Sequence, residues 1–258
     1  MLSFIQAKRS SIFHRFIDMH DVTIDTVFDG GLWVKQARRG YRFSIDSVLL
    51  AHFAGPLTTE TVLDLGTGCG IIPLILAWRH ESIFVHGVEL QPELVEIAGQ
   101  NVTENGLTDR VRIHGADMKR VTAVLTSGPV DLVVCNPPFH PVASGRLNPD
   151  SQRAVARHEI KLTLSELIGT ATRMLRSDGK FAAVYPVRRM ADMLFEMRRG
   201  GLAPGSLRLV YPREQGPAKL FLVEGVKGGG AALEVPPPLV LYQADGAYTP
   251  EAAAMFLP

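Results

Sequence analysis

From Thr61 onward, short runs of β-branched and apolar residues alternate with stretches whose apolar positions recur at helical spacing. That alternation predicts a parallel sheet with crossover helices, an α/β doubly wound fold. Strands are expected at 61–65, 83–89, 111–114, 130–135 and 180–185, with 130–135 so apolar that it belongs at the sheet centre. A helix over 71–80 carries Pro73 in its first turn, where a missing N–H costs nothing. Pro92 opens another, with Leu94, Val95, Ile97, Ala98 and Val102 on one face and Asn105-Gly106 as its C-terminal cap. Thr163 and Glu166 have capping-box spacing ahead of Leu164, Leu167, Ile168, Ala171, Met174 and Leu175, in a helix expected to stop near Asp178-Gly179. Residues 187–199 form the last predicted helix of this set. Runs near 207–211 and 218–226 follow with no helix between them, so they are expected to pair antiparallel at the sheet edge. Past Gly228–Gly230 and Pro236–Pro238, the tail 239–249 reads as a hairpin around Asp245-Gly246. The expected organisation is an accessory segment over 1–55, a main domain over 56–230, and a tail over 231–258 packed on it.

Composition narrows the class. The chain has 258 residues, 46% hydrophobic and 21% charged, which is enough to bury a sizeable core and excludes a disordered chain. Two cysteines, Cys69 and Cys135, cannot build a disulfide framework, and no CxxC or HxxxH spacing marks a metal site. A reducing, cytoplasmic setting follows. The first twenty residues mix Lys8, Arg9, Arg15 and Asp18 into their apolar positions, without the apolar core of a secretory signal. The longest uncharged apolar stretch, 65–78, is too short and too Gly-rich to span a bilayer.

The chemistry begins at Asp64-Leu-Gly-Thr-Gly-Cys-Gly70, between the first strand and the first helix. Gly66, Gly68 and Gly70 allow a sharp turn and let a ligand approach the backbone. The spacing is GxGxG, where dinucleotide sites use GxGxxG. Asp64 just ahead of it would repel a pyrophosphate and suits a cationic ligand, such as the ammonium and sulfonium of S-adenosylmethionine (AdoMet). Glu89, 23 residues after Gly66, ends the second strand where a carboxylate can accept ribose hydroxyls. Asp117 lies at the next strand end on the same edge.

Asn136-Pro-Pro-Phe139 leaves the fourth strand at that edge. Such a sequence breaks strands in any protein, but here its position gives it a chemical use. An exocyclic amine on an aromatic ring is a poor nucleophile, because its lone pair is delocalised. The Asn136 side-chain oxygen and the Pro137 carbonyl can each accept one N–H and turn the lone pair toward a methyl donor. Phe139 offers a face for a flipped base.

DLGTGCG, GVELQPEL and NPPF together resemble class I AdoMet-dependent methyltransferases of the amino-methylating branch. Three further stretches, Gly40–Ala51 (GYRFSIDSVLLA), Ala156–Glu159 (ARHE) and the tail ending in Asp-Gly-Ala-Tyr-Thr249, are similar to bacterial tRNA(Val) adenine-N6 methyltransferases. The resemblance covers about Asp25 to Thr249. It implies a Rossmann-like, mostly parallel seven-stranded sheet with an antiparallel last strand, AdoMet as cofactor, and tRNA as partner. It also implies that the segment from Tyr41 to Asp46 folds over the cofactor, with Phe43, Asp46 and Asn136 among the cofactor-binding residues. The family commonly carries Tyr where this chain has Phe139, and NPPFH also occurs in ribosomal RNA guanine-N2 methyltransferases. Protein glutamine-N5 methyltransferases share the NPPF logic but typically add a helical N-terminal domain. A non-enzymatic RNA-binding relative would have lost the Gly and Asn residues that are intact here.

Arg153, Arg157 and His158 follow the NPPF loop and are read as RNA contacts. Charge supports this. Residues 1–139 carry 12 basic and 15 acidic side chains, 140–219 carry 14 and 7, and 220–258 carry 1 and 4. The net charge of +1 is thus a cancellation, with the basic excess beginning just past NPPF.

Overall fold

The structure is a computed structural model that describes residues 22–38, 42–55, 57–58, 60–137, 163–230 and 232–257. Its described elements are, in chain order, β1 (Val22–Val27), β2 (Leu32–Ala37), α1 (Ile45–Phe53), β3 (Thr61–Leu65), α2 (Ile71–Arg79), β4 (Phe84–Glu89), α3 (Pro92–Glu104), β5 (Val111–Gly115) and β6 (Val130–Cys135). After these come α4 (Leu164–Met174), β7 (Leu175–Pro186), α5 (Met190–Arg199), β8 (Leu202–Arg213), β9 (Leu220–Lys227), β10 (Leu239–Tyr242) and α6 (Pro250–Ala254).

The main sheet has the order β10-β8-β9-β7-β6-β3-β4-β5. Only β9 runs against the others, pairing antiparallel with both β7 and β8. The expected parallel sheet with an antiparallel late strand is therefore present. It holds eight strands where seven were expected, because Leu239 and Val240 of the tail pair in parallel with Val210 and Tyr211. Beyond them the tail does turn back, with Gln243 N donating to Ala247 O at 2.8 Å.

Period-two alternation sorts the central strands between two cores. Val62, Val85, Leu132, Val134, Ala182 and Val184 face α1, α2 and α3. Leu63, Leu65, Val133, Cys135, Phe181 and Ala183 face α4 and α5. The capping box forms as read: Thr163 Oγ1 accepts from Glu166 N, and Glu166 accepts from Thr163 N. The helix behind it stops sooner than its apolar pattern suggests, at Met174. Leu175 instead pairs with Val130, so β7 starts there and absorbs the irregularity through Asp178 at φ 60°.

The first described residues form a separate β1–β2 hairpin. Next comes α1, whose Val48, Leu49, Leu50 and Ala51 are buried in the same core as α2. It packs on α2 and β7. This helix is thus a layer of the main core.

Candidate active site

Neighbours β3 and β6 mark the point where the chain's path across the sheet reverses, the usual place for a ligand crevice. The Gly-rich loop leaves β3 there, and Asn136 leaves β6. The loop is anchored from β4: Gly66 N and Thr67 N each donate to Val88 O at 2.9 Å. Gly70 sits at φ 85°, and a Cβ on it would meet Ala98 of α3 at 3.2 Å. A Cβ at Gly87 of β4 would come within 3.0 Å of the Thr67 side chain, so this glycine makes room for the loop.

Glu89 ends β4 as expected, and its carboxylate is already engaged. One oxygen accepts from Gly68 N at 3.0 Å, the other from Leu90 N at 2.8 Å and Gln91 N at 2.9 Å. It ties the Gly loop to the start of α3. Asp117 follows β5 and accepts from Lys119 N at 3.0 Å, starting a single helical turn.

Asp64 is fully buried, and neither carboxylate oxygen has a hydrogen-bond partner. Burial raises its carboxyl to about 7, and the negative Glu89 adds to the rise. The Thr67 hydroxyl, close by though also unpartnered, offsets part of it. An orphaned buried carboxylate beside a positive-φ glycine loop fits a ligand that brings donors and positive charge. Cys69 is buried too, and desolvation pushes its thiol up to about 12, which leaves it inert.

Asn136 is half-buried, and its Nδ2 donates to Ser47 Oγ of α1 at 3.0 Å. Pro137 beside it is buried. Phe43 and Asp46 lie just before and inside the first turn of α1. Phe43 N donates to Gln36 Oε1 at 2.7 Å, Gln36 Nε2 donates to Asp25 at 2.5 Å, and Arg42 pairs with Asp25 at 2.8 Å. The hairpin thus fastens the segment leading into α1. Burial raises the Asp46 carboxyl above its ordinary range, with Ser44 partly countering. Phe139, Arg153, Arg157 and His158 lie outside the described residues.

Three residues absent from the sequence reading matter here: Ser47, Gln36 and Asn101. Asn101 of α3 is fully buried; its Nδ2 donates to Lys35 O at 3.0 Å and Cys69 O at 2.9 Å, and its Oδ1 accepts from Lys35 N at 2.7 Å. One side chain therefore joins the hairpin to the Gly loop. The signal for it was weak, since a lone Asn on a helix face has no spacing partner. Asn101→Ala would leave these backbone groups unsatisfied and is expected to cost about 3 kcal/mol, read as a lower urea midpoint.

Several basic residues past 140 are paired with carboxylates. Arg176 pairs with Asp131, Lys180 with Glu224, Arg199 with Glu196 and Arg208 with Glu251. Arg176 and Lys180 stand at the start of β7, the sheet edge opposite the Gly loop. Of the charges read as a steering stretch, Arg188 and Arg189 follow the site end of β7. Others lie on helices, Arg173 on α4 and Arg198 on α5, which a segment sum does not reveal.

A Gly loop and an Asn-Pro strand end, side by side at the reversal point of such a sheet, define a methyltransferase. The chain belongs to the methyltransferase small domain family, whose model matches residues 44–197. It is 31% identical over 227 residues to the tRNA1(Val) (adenine(37)-N6)-methyltransferase of Porphyromonas gingivalis strain W83, covering 84% of this chain and 88% of that one. A protein of the same name from Tolumonas auensis is 29% identical, covering 86% and 91%. A predicted O-methyltransferase from Agrobacterium tumefaciens shares the fold, with a TM-score of 0.66, 23% identity and coverage of 81% and 94%. The family resemblance read from the motifs is borne out. Among the described residues, no helix is long and apolar enough to cross a membrane, and no group of three or more His, Cys, Asp or Glu is placed to hold a metal.

Proposed function

We propose that this chain moves a methyl group from AdoMet to the exocyclic N6 of an adenine in tRNA, in the cytoplasm. The observation that carries the reading is Asn136, which follows the strand paired with β3 and whose amide nitrogen donates to Ser47. The relatives' shared name supports the substrate.

Asp64 would face the positive charge of AdoMet, the glycine loop would follow its backbone, and Glu89 and Asp117 would hold the ribose and base side. Phe43 and Asp46 would close over it. AdoMet, when bound, supplies an activated methyl group with its own leaving group. The chain's task is then to place the amine and shape its lone pair. Asn136 Oδ1 and the Pro137 carbonyl accept the two N–H bonds of the amine, and Pro137 contributes a fixed φ and no N–H of its own. Phe139 stacks the base, while Arg153, Arg157 and His158 meet the RNA backbone. The displaced proton leaves to solvent.

Labelled AdoMet, incubated with total RNA from cells lacking this protein and followed by nucleoside analysis, tests the reading. Label is expected as N6-methyladenosine in tRNA. Label as N2-methylguanosine in ribosomal RNA would move the substrate, and no label in any RNA would overturn the function.

A further inference from the structure

The contact between Asn136 and α1 carries an inference that rests on the reading of Asn136 above. A carboxamide has two unlike ends, one that only accepts hydrogen bonds and one that only donates. An amine approaching with its own N–H groups needs the accepting end. A half-exposed Asn at a strand end is otherwise free to turn about its last torsion and offer either one. Ser47, only 1% exposed, bears on that choice: its Oγ accepts from Asn136 Nδ2 at 3.0 Å, which leaves Oδ1 as the end turned away from α1. In a buried setting, losing this bond leaves a polar group unpaired, so the contact restrains the amide.

We propose that Ser47 is a positioning residue, holding the Asn136 amide with Oδ1 turned toward the substrate amine. The hydroxyl reaches the strand end because α1 packs on α2 and β7, beside β6. The segment ahead of the Gly loop is by this account part of the transfer site. It does more than cover the cofactor. Ser47 itself touches no reacting atom; it acts through Asn136.

The test uses the full chain with tRNA and AdoMet, and the variants Ser47→Ala, Ser47→Thr, Asn136→Ala and the Ser47→Ala/Asn136→Ala double. Ser47→Ala is expected to lower kcat about tenfold, the size of one hydrogen bond, with KM for tRNA and AdoMet affinity within about twofold. Ser47→Thr keeps an acceptor oxygen and should restore kcat to within about threefold. The double variant should be no slower than Asn136→Ala alone, since Ser47 has nothing left to orient. If the threonine methyl prevents folding, the alanine pair decides the question by itself.

An unchanged kcat in Ser47→Ala, alongside a strong loss in Asn136→Ala, overturns the role of Ser47 and leaves the role of Asn136 standing. A rate loss matched by a fall in AdoMet affinity or melting temperature assigns Ser47 to packing and also overturns the proposal. Full activity in Asn136→Ala would instead overturn the reading on which it rests.

Discussion

Asn136→Ala is expected to reduce kcat for methyl transfer roughly 100- to 1000-fold, the cost of removing one preorganised polar group from the reacting centre. AdoMet affinity should stay within about twofold, because the Gly loop and Glu89 are held by other contacts. Gly66 and Thr67 hang on Val88, and Gly68 on Glu89, with no member of that set bonded to Asn136. A split between binding and turnover is therefore the informative result. Single-turnover kinetics with saturating AdoMet would measure it. Equal loss of both would mean that Asn136 supports the fold and leave the amine without its acceptor. The melting temperature should fall by only a few degrees, since the variant leaves the Ser47 hydroxyl without this partner but deletes only a half-buried side chain.

The second large effect belongs to Asp64. Its carboxyl is raised to about 7 in the folded chain, against an ordinary value of 3.8. Between about pH 4 and 7 the folded chain keeps a proton that the unfolded chain has released. Stability of the ligand-free protein therefore falls as pH climbs through this window. Well above pH 7 the loss reaches on the order of 4 kcal/mol. Asp64→Asn should remove it, raising the melting temperature of the ligand-free protein at pH 8 by several degrees and flattening its pH dependence. Binding should show the reverse. A cationic ligand prefers the ionised carboxylate, so AdoMet affinity is expected to rise about tenfold per pH unit up to 7 and then level off. In Asp64→Asn the affinity should drop roughly 100-fold at pH 8 and lose that slope. Calorimetric titration from pH 5 to 8 on both proteins gives each curve. An affinity independent of pH in the wild type would remove Asp64 from the binding account. A variant that binds more weakly yet melts higher would mark a residue retained for its ligand, at the expense of the empty fold.

Both effects trace to positions that were readable without coordinates, for a physical reason. A Gly loop must sit between a strand and a helix, and an Asn-Pro pair must end a strand, so DLGTGCG and NPPF announce their own surroundings. Strands 61–65 and 130–135 were recoverable to the residue, because buried parallel strands read as short runs rich in Val and Leu bounded by turn residues. Elements with weaker local rules were missed. The β1–β2 hairpin alternates well, as VTIDTV and LWVKQA on either side of a Phe-Asp-Gly-Gly turn, and period-two counting would have found it. Helix α1 appeared only as part of a familiar string, since its run of Val48 to Ala51 is apolar without periodicity. The charge sum over 140–219 has no direction of its own, and several of those cations pair with carboxylates.

Local pattern was thus enough for the fold class, the order of the central elements and the strand-end placement of Asp64, Glu89, Asp117 and Asn136. Each follows from a rule that acts within a few residues: side-chain period, turn chemistry, or the end of a strand. The pairing of Ser47 with Asn136, 89 residues apart, has no such rule behind it. Neither does the link from Asn101 to Cys69, nor the orphaning of Asp64. These depend on which helix covers which strand and on how completely water is excluded from the crevice. The chain pattern offered the candidate groups; packing set which hydroxyl meets the Asn136 amide and how strongly a buried carboxylate holds its proton.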